Sequence, residues 1–582
     1  MAGQTVLRGT SYVYGATSAT LLAANLELSF WGGVNAATGE VIDRFHPLSG
    51  KLLKDTVLAI PGSRGSCGGS VIMMELILNG LGPKALVFER KDEILTLGVM
   101  VAEELFNMTA PVLVLDPEDF SRLITLGSRQ VHVEGDRISD APLQGDASKP
   151  TIDANNYGIQ LDDNDRATLS GANGVAARIS LNIILRMARL MGAKELMSVT
   201  QSHADAAWYG PGSVAFGQRL RDWGGRFKVP TTINSLNVDQ KRWKALGVNS
   251  EFGSACDGLA KAFVDMGGKI SFTCAPYLLE TAPQLGDLIA WGESNAVVYA
   301  NSVLGARTLK NPNMFEVLIA LTGRAPKAGA YLDENRLAQV WLRVSPPEGT
   351  DDSFWPILGY ALGAIAMSRT PVITGLEHMK PTSDNFKAFA AAFATSSSTP
   401  LFHMVNLTPE APTFDAIAPK DKKLGAVNVN LRDLDAIWEE FNHGSVPRDI
   451  DLVSFGNPHF SFQEIKEVAR LCKGRTKKDS VAVIVTCGRS QYGLALQAGY
   501  IGELEEFGVQ FLQDTCWCSI EEPVLPKETQ VIMTNSGKYI HYGPGLTGRQ
   551  FAFGNLEMCV DAACTGRTTG DPPSWLLEAR SN

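Results

Sequence analysis

Residues Thr56 to Ser70 read TVLAIPGSRGSCGGS. Thr56 to Ile60 is an apolar run of strand length, and Gly69 to Asn79 carries its apolar residues at helical spacing. A second short apolar run, Ala85 to Phe88, follows, so the unit reads strand, glycine loop, helix, strand. Glycines let a backbone approach a ligand closely, and the N-terminus of the next helix offers free N–H groups to an anion. Within that loop Ser63 and Arg64 are candidates for substrate contact, Arg64 by clamping a carboxylate with both arms of its guanidinium. Ser66 is a candidate base or donor. The same residues also suit a structural turn with N-capping serines. The segment is not a phosphate-binding Walker loop, because the required Lys is missing.

Working outward, Pro111 to Asp116 is another buried strand, and residues up to about 140 read as β-rich with few helices. Leu143 to Leu161 is rich in Asp, Asn, Gly and Pro without periodicity, which marks a linker. The expected division is a small N-terminal domain over 1–145, a linker over 146–161 and a large α/β part over 162–582. In the large part Arg178 to Gly192 is an amphipathic helix ending at a glycine, and Lys194 to Thr200 returns as a strand. The last third alternates plainly: strand Ile450 to Phe455, helix Ser461 to Cys472, strand Ser480 to Thr486, helix Gln491 to Phe507, then strands Val509 to Gln513 and Gln530 to Thr534. Such alternation implies a largely parallel sheet covered by helices, with ligands gathered at the strands' carboxyl ends.

The 582 residues exceed what one ordinary core organises. A formal net charge of −10 argues against a chain that grips phosphate backbones, so no nucleic acid partner is expected. No stretch is long and apolar enough to cross a bilayer, and the start lacks a secretory signal, so the expectation is a cytoplasmic enzyme without a membrane partner. Nine cysteines in a reducing compartment do not form a disulfide framework.

Three of those cysteines follow a threonine at the end of a candidate strand: Thr273-Cys274, Thr486-Cys487 and Thr515-Cys516. A cysteine there is a core thiol, a nucleophile or a metal ligand. Cys518, Cys559 and Cys564 widen the field, whereas Cys67, Cys256 and Cys472 read as structural. There is no tight C-x-x-C array, which weakens zinc-ribbon and ferredoxin readings. His203 in Gln201-Ser202-His203-Ala204-Asp205, Asn295 in the polar stretch Ala290 to Ala296, and Lys538 after the last strand are candidate substrate contacts.

These pieces resemble the aconitase X family. Pro61 to Ser70, with Asp92 to Gly98 (DEILTLG), is similar to its swivelling small domain. Phe272 to Leu278 (FTCAPYL), Asn295 to Thr308 (NAVVYANSVLGART), Leu321-Thr322-Gly323-Arg324, Leu332 to Arg336, Thr408 to Ala411 and Asp514-Thr515-Cys516 resemble its large catalytic part. The match is colinear over nearly the whole chain. It implies an α/β, aconitase-like fold, with an N-terminal swivelling domain fused to a multi-lobed catalytic part and a substrate site between that domain and an iron–sulfur cluster. It further implies Ser66 as catalytic base, Arg64 as a carboxylate contact, and Cys274 and Cys516 as cluster ligands.

One departure separates branches of the family. The two-subunit branch, resembling mevalonate 5-phosphate dehydratase, carries a Gly-Cys-Pro-His ligand segment, and this chain has Gly456-Asn457-Pro458-His459. Loss of that thiolate argues for a two-iron cluster rather than a cubane. Its third ligand would come from elsewhere, Cys564 first, with Cys559 and Cys487 behind. The departure, the fusion into one chain, Trp31 to Val34 (WGGV) and the Gly65 to Ser70 variant resemble the single-chain branch. That branch implies dehydration of the small hydroxy amino acid cis-3-hydroxy-L-proline to Δ1-pyrroline-2-carboxylate by a monomer or small homo-oligomer. A phosphorylated substrate would call for more cations than Arg64 in the loop, and an RNA-binding regulator would call for a basic surface.

Overall fold

Four parallel strands and the helices that cross between them carry the seryl loop. The computed structural model describes residues 5–143, 157–421, 423–443 and 448–581. By compactness these fall into two units. The first comprises Met1–Thr231, Lys261–Gly268 and Asn311–Gly329; the second comprises Thr232–Ala260, Lys269–Lys310 and Ala330–Asn582.

In the first unit seven strands close into a barrel. Ala16–Ala23, Thr56–Ile60, Ala85–Phe88 and Val112–Leu115 are parallel neighbours in that order. Val6–Val13, Gln130–Glu134 and Arg137–Ser139 close the ring antiparallel. Val57, Leu58 and Ile60 are wholly buried, each worth about 1.5–3 kcal/mol of apolar burial. The helix Gly69–Leu78 returns the chain from Thr56–Ile60 to Ala85–Phe88, and Glu93–Phe106, capped by Asp92, returns it to Val112–Leu115. Right-handed crossovers of this kind leave the strand-to-helix loops at the carboxyl ends of the strands, and Pro61 to Gly68 is the first of them. Farther along the same unit, the helix Gly174–Met191 ends at Gly192 in the left-handed conformation (φ 78°) and leads to the strand Leu196–Ser198. Most of the stretch expected as a linker, 144–156, lies outside the described residues.

The second unit holds two parallel sheets. The smaller one orders His403–Met404, Pro371–Thr374, Val340–Val344 and Ala426–Val429. The larger contains Leu452–Phe460, Ala482–Cys487, Val509–Gln513, Val531–Thr534 and Gln550–Phe553. Numbered along the chain, these five lie in the order third, second, first, fourth, fifth. Chain direction across the sheet therefore reverses at Leu452–Phe460, and the crevice beyond the carboxyl end of such a switch strand is where open α/β sheets take ligands. The helix expected over Gln491 to Phe507 is two helices, Arg489–Gln497 and Tyr500–Phe507, because Gly499 at φ 87° breaks it.

Candidate active site

At the switch point three thiols meet. Cys274 lies on the loop after Phe272-Thr273, and Cys516 and Cys518 lie just past the strand Val509–Gln513. Cys516 hydrogen-bonds with both Cys274 and Cys518. The bond with Cys274 and then burial hold the Cys516 thiol up at about 12. Further donors converge on the sulfurs: the His459 N–H donates to Cys274 Sγ at 3.3 Å and Asn457 Nδ2 to Cys518 Sγ at 3.5 Å.

Two side chains hold both thiol loops at once. His459 Nε2 donates to the Thr515 carbonyl at 2.6 Å, so its Nδ1 accepts from the Thr273 hydroxyl at 3.1 Å. Both ring nitrogens are thereby used. Burial pulls the imidazole down to about 4, so it stays neutral. Arg489 forms a two-armed pair with Asp514 at 2.9 and 2.7 Å, and its guanidinium lies 4.8 Å from the centre of the Phe272 ring. Phe272 (φ 33°) and Asp514 (φ 67°) are strained for residues with side chains, and each stands two residues before a cysteine. Gly456 is demanded by space, since a β-carbon there would come within 2.0 Å of the Thr486 carbonyl oxygen.

A partly buried cation completes this site. Lys538, in the first turn of the helix Gly537–Thr547, pairs with Glu293 at 2.8 Å. Burial pulls its ammonium down, but Glu293 and then Cys518, Cys516 and Cys274 outweigh that and hold it well above the ordinary range. Asn295 is spent on structure: its amide donates to Glu293 at 2.7 Å and to the Cys274 carbonyl at 3.2 Å, and its oxygen accepts from Tyr277 at 2.8 Å.

The thiol set suits an iron–sulfur group by donor chemistry. Around it Asn457 Oδ1, Thr515 Oγ1 and the Tyr539 hydroxyl are buried without a hydrogen-bond partner, as groups awaiting an occupant are. Among the described residues no trio of His, Cys, Asp or Glu is arranged to hold a single metal ion, and the thiols touch each other instead. The other cysteines expected as third ligand stand elsewhere. Cys564 is half-exposed on the helix Leu556–Thr565 beside Arg475 and Cys472. Cys559 is buried in the core under the five-stranded sheet with its thiol directed to the Gly554 carbonyl at 3.8 Å, and Cys487 belongs to the same core. The third thiol beside Cys274 and Cys516 is Cys518, and Cys564 is not near them. The C-x-C spacing was the available clue.

In the first unit the seryl loop is built from backbone. Gly68 donates its N–H to Ser66 Oγ at 3.2 Å, and the helix Gly69–Leu78 starts immediately after it. No acidic residue stands in that helix's first turn, so its positive end is not offset from within the helix itself. Gly65 turns at φ 85°, where a β-carbon would press on Ser29 Oγ at 2.8 Å. Ser63 donates its N–H to Asp92 at 2.5 Å, and its own hydroxyl is buried without a partner. Arg64 is engaged outward, with Asp43 at 2.9 Å and the Glu27 carbonyl at 3.2 Å. His203 is fully buried in the strand Gln201–Ala204.

Comparison with known proteins decides the family. The aconitase X swivel domain matches residues 6–139, and the first, second and third aconitase X domains match 158–334, 338–439 and 450–565. The chain belongs to the aconitase X family. Cis-3-hydroxy-L-proline dehydratase of Hypocrea jecorina is 51% identical over 98% of this chain and 97% of that protein. The enzyme of the same name from Pseudomonas aeruginosa is 45% identical over 97% of this chain and 98% of that protein. The crystal structure of Thermococcus kodakaraensis aconitase X, holo form, superposes with a TM-score of 0.62 at 27% identity, covering 70% of this chain and all of that one. As the sequence resemblance implied, the fold is the mixed α/β aconitase X architecture with its swivel domain first. This aconitase X chain is a dehydratase, a carbon–oxygen hydro-lyase. Among the described residues no helix is long and apolar enough to cross a membrane.

Proposed function

We propose that this aconitase X chain removes water from cis-3-hydroxy-L-proline to give Δ1-pyrroline-2-carboxylate. The observation that supports the reading is identity of 51% and 45%, over essentially full length, to two proteins named for that reaction. The domain bounds 1–145, 146–161 and 162–582 belong to the same proposal, as does a cytoplasmic location.

Cys274, Cys516 and Cys518 are the proposed ligands of an iron–sulfur cluster, Cys518 in the place first assigned to Cys564. When bound, the cluster supplies a Lewis-acidic iron for the leaving hydroxyl. A two-iron cluster is proposed over a cubane because Asn457 stands where the two-subunit branch carries a ligating cysteine. Lys538, partly buried beside the sulfurs, balances their charge and is a proposed contact for a substrate carboxylate. Ser66 takes the α-proton from C2 as the C3–O bond breaks, and the departing hydroxide takes up one proton from solvent and leaves as water. The resulting enamine then gains a proton at C3 and loses the one on its nitrogen, becoming the imine. A free serine is far too weak a base. The Gly68 N–H and the positive end of the helix Gly69–Leu78 stabilise its alkoxide form. Ser63 and Arg64 border the same loop and are proposed substrate contacts, with Arg64 leaving Asp43 to reach a carboxylate. His203 and Asn295 shape their surroundings from buried positions.

Anaerobic turnover of cis-3-hydroxy-L-proline by the purified enzyme, with the imine trapped by o-aminobenzaldehyde, tests the reading. The expected result is stoichiometric imine. No imine from protein carrying iron and sulfide sinks the proline assignment and leaves the hydro-lyase class in place.

A further inference from the structure

A wholly buried carboxyl group is linked to the seryl loop through backbone, and no step of the elimination uses it. Glu316 lies in the first turn of the helix Phe315–Thr322, shielded from solvent. Its Oε1 accepts two backbone N–H groups, from Asp205 at 3.0 Å and from Met314 at 3.4 Å. Its own carbonyl accepts from the Ser202 hydroxyl at 2.9 Å. One residue thus ties the end of the strand Gln201–Ala204 to the turn that opens its own helix. That turn is costly by itself: Met314 stands at φ 83°, in the left-handed region that side chains disfavour. Asn313 Nδ2 ties turn and strand end a second time, donating to the Asp205 carboxylate at 2.5 Å.

The same turn carries the seryl loop. Asn313 donates its N–H to the Cys67 carbonyl at 3.1 Å, and its own carbonyl accepts from the Ser70 hydroxyl at 2.7 Å. The first contact falls one residue after Ser66, and the second in the first turn of the helix Gly69–Leu78. The loop is therefore registered against the Asn313 backbone, whose course the Glu316 oxygen fixes. Oε2 of Glu316 has no hydrogen-bond partner among the described residues, so its tie to the turn runs through Oε1. Burial first, and the Asp205 charge second, push the carboxyl up to about 8. At neutral pH Glu316 is protonated and serves as an uncharged acceptor.

We propose that Glu316 is a positioning residue for the elimination: by holding the strand end at Asp205 and the left-handed turn at Met314 together, it fixes the Asn313 backbone and so sets the place of Ser66 Oγ. A base must stand within hydrogen-bond reach of the proton it removes, and a small displacement of its loop is felt in the rate of that step rather than in binding. The inference rests on the reading of Ser66 as the base and names what holds that base in register.

The test measures kcat and KM for cis-3-hydroxy-L-proline on the holoenzyme, with turnover expressed per bound iron, in wild type, Glu316→Met and Glu316→Gln. Glu316→Met fills similar space but offers the two N–H groups no acceptor, whereas Glu316→Gln keeps one. Glu316→Met is expected to lose about tenfold in kcat with KM within about twofold of wild type, as a displaced base would. Glu316→Gln is expected to recover most of that loss. Ser70→Ala removes the loop's own side of the contact and should show the same split, and it decides the matter if Glu316→Met does not fold. Unchanged kcat in the variants that lose the contact, a rise in KM that accounts for their loss, or a Glu316→Gln as impaired as Glu316→Met overturns the assignment. Wild type that carries iron and sulfide yet fails to turn over cis-3-hydroxy-L-proline overturns the parent reading, and this one with it, before any variant is made.

Discussion

The seryl loop and the thiol loops solve opposite problems. Around Ser66 the groups that matter are backbone: glycines, one N–H donor and a helix terminus. Around Cys274, Cys516 and Cys518 they are side chains: His459 and Arg489 each hold both loops, Arg489 at the two residues whose backbone is strained. A base that gains and loses a proton in each cycle is served by dipoles that favour its charged form without neutralising it. Ligands of a metal group must instead be kept from moving apart, and that takes bidentate and bifunctional side chains.

The comparison breaks most sharply at the proposed base. Ser66→Ala should lower kcat by about 10³-fold, with the visible spectrum and thermal melting unchanged, because no side chain in the loop depends on that hydroxyl. Loss of the spectrum together with activity would show that the two regions are not separable in this way. Next comes the third thiol. Cys518→Ser should lose most of its bound iron and sulfide and Cys564→Ser should lose none, read by iron and acid-labile sulfide content. The reverse result would restore Cys564 as a ligand.

The side-chain straps supply a smaller effect. Arg489→Met leaves the Asp514 carboxylate buried without its partner, and should destabilise the protein by about 3 kcal/mol while lowering iron retention. Unchanged retention would mean that Arg489 stabilises the fold without shaping the thiol site. The gentlest test is pH. Glu316 is held above its unfolded value, so its contribution is fully present below about pH 4.5 and is lost as pH rises through about 8. Glu316→Gln should therefore gain stability relative to wild type over that window, by up to about 1.4 kcal/mol per pH unit. A difference that stays flat from pH 5 to 8 would refute the protonated state assigned to Glu316.

Much of this arrangement is legible in the residues before any coordinates. The run of strand, glycine loop and helix from Thr56 to Asn79 and the alternation after Ile450 place Ser66, Cys516 and Lys538 at carboxyl ends of parallel strands, where topology collects ligands. What period and composition do not carry is long-range direction. Cys516 and Cys518 are two residues apart, and only the turn after Gln513 brings both sulfurs to one side. Glu316 sits in FEVLIALT, an apolar helix in which one acid reads as a surface residue rather than a fully buried one. His459 ends a strand whose every residue is buried, so its role as a tie between loops appears only when Thr273 and Thr515 arrive from distant segments. Cys564, near the C-terminus on the helix Leu556–Thr565, has Arg475 and Cys472 as neighbours rather than Cys274 and Cys516, which its place in the sequence does not show.

The fastening of Phe272 and Asp514 by one guanidinium also bears on the order in which the enzyme is made. Cys274 leaves the ribosome long before Arg489, Asp514 and Cys516 have been synthesised. Nothing can hold its loop in the final conformation until those residues have emerged and folded back on it, a contact of long sequence separation and correspondingly late formation. The three-thiol site is therefore assembled late, only once the C-terminal part of the chain has folded back on the Cys274 loop.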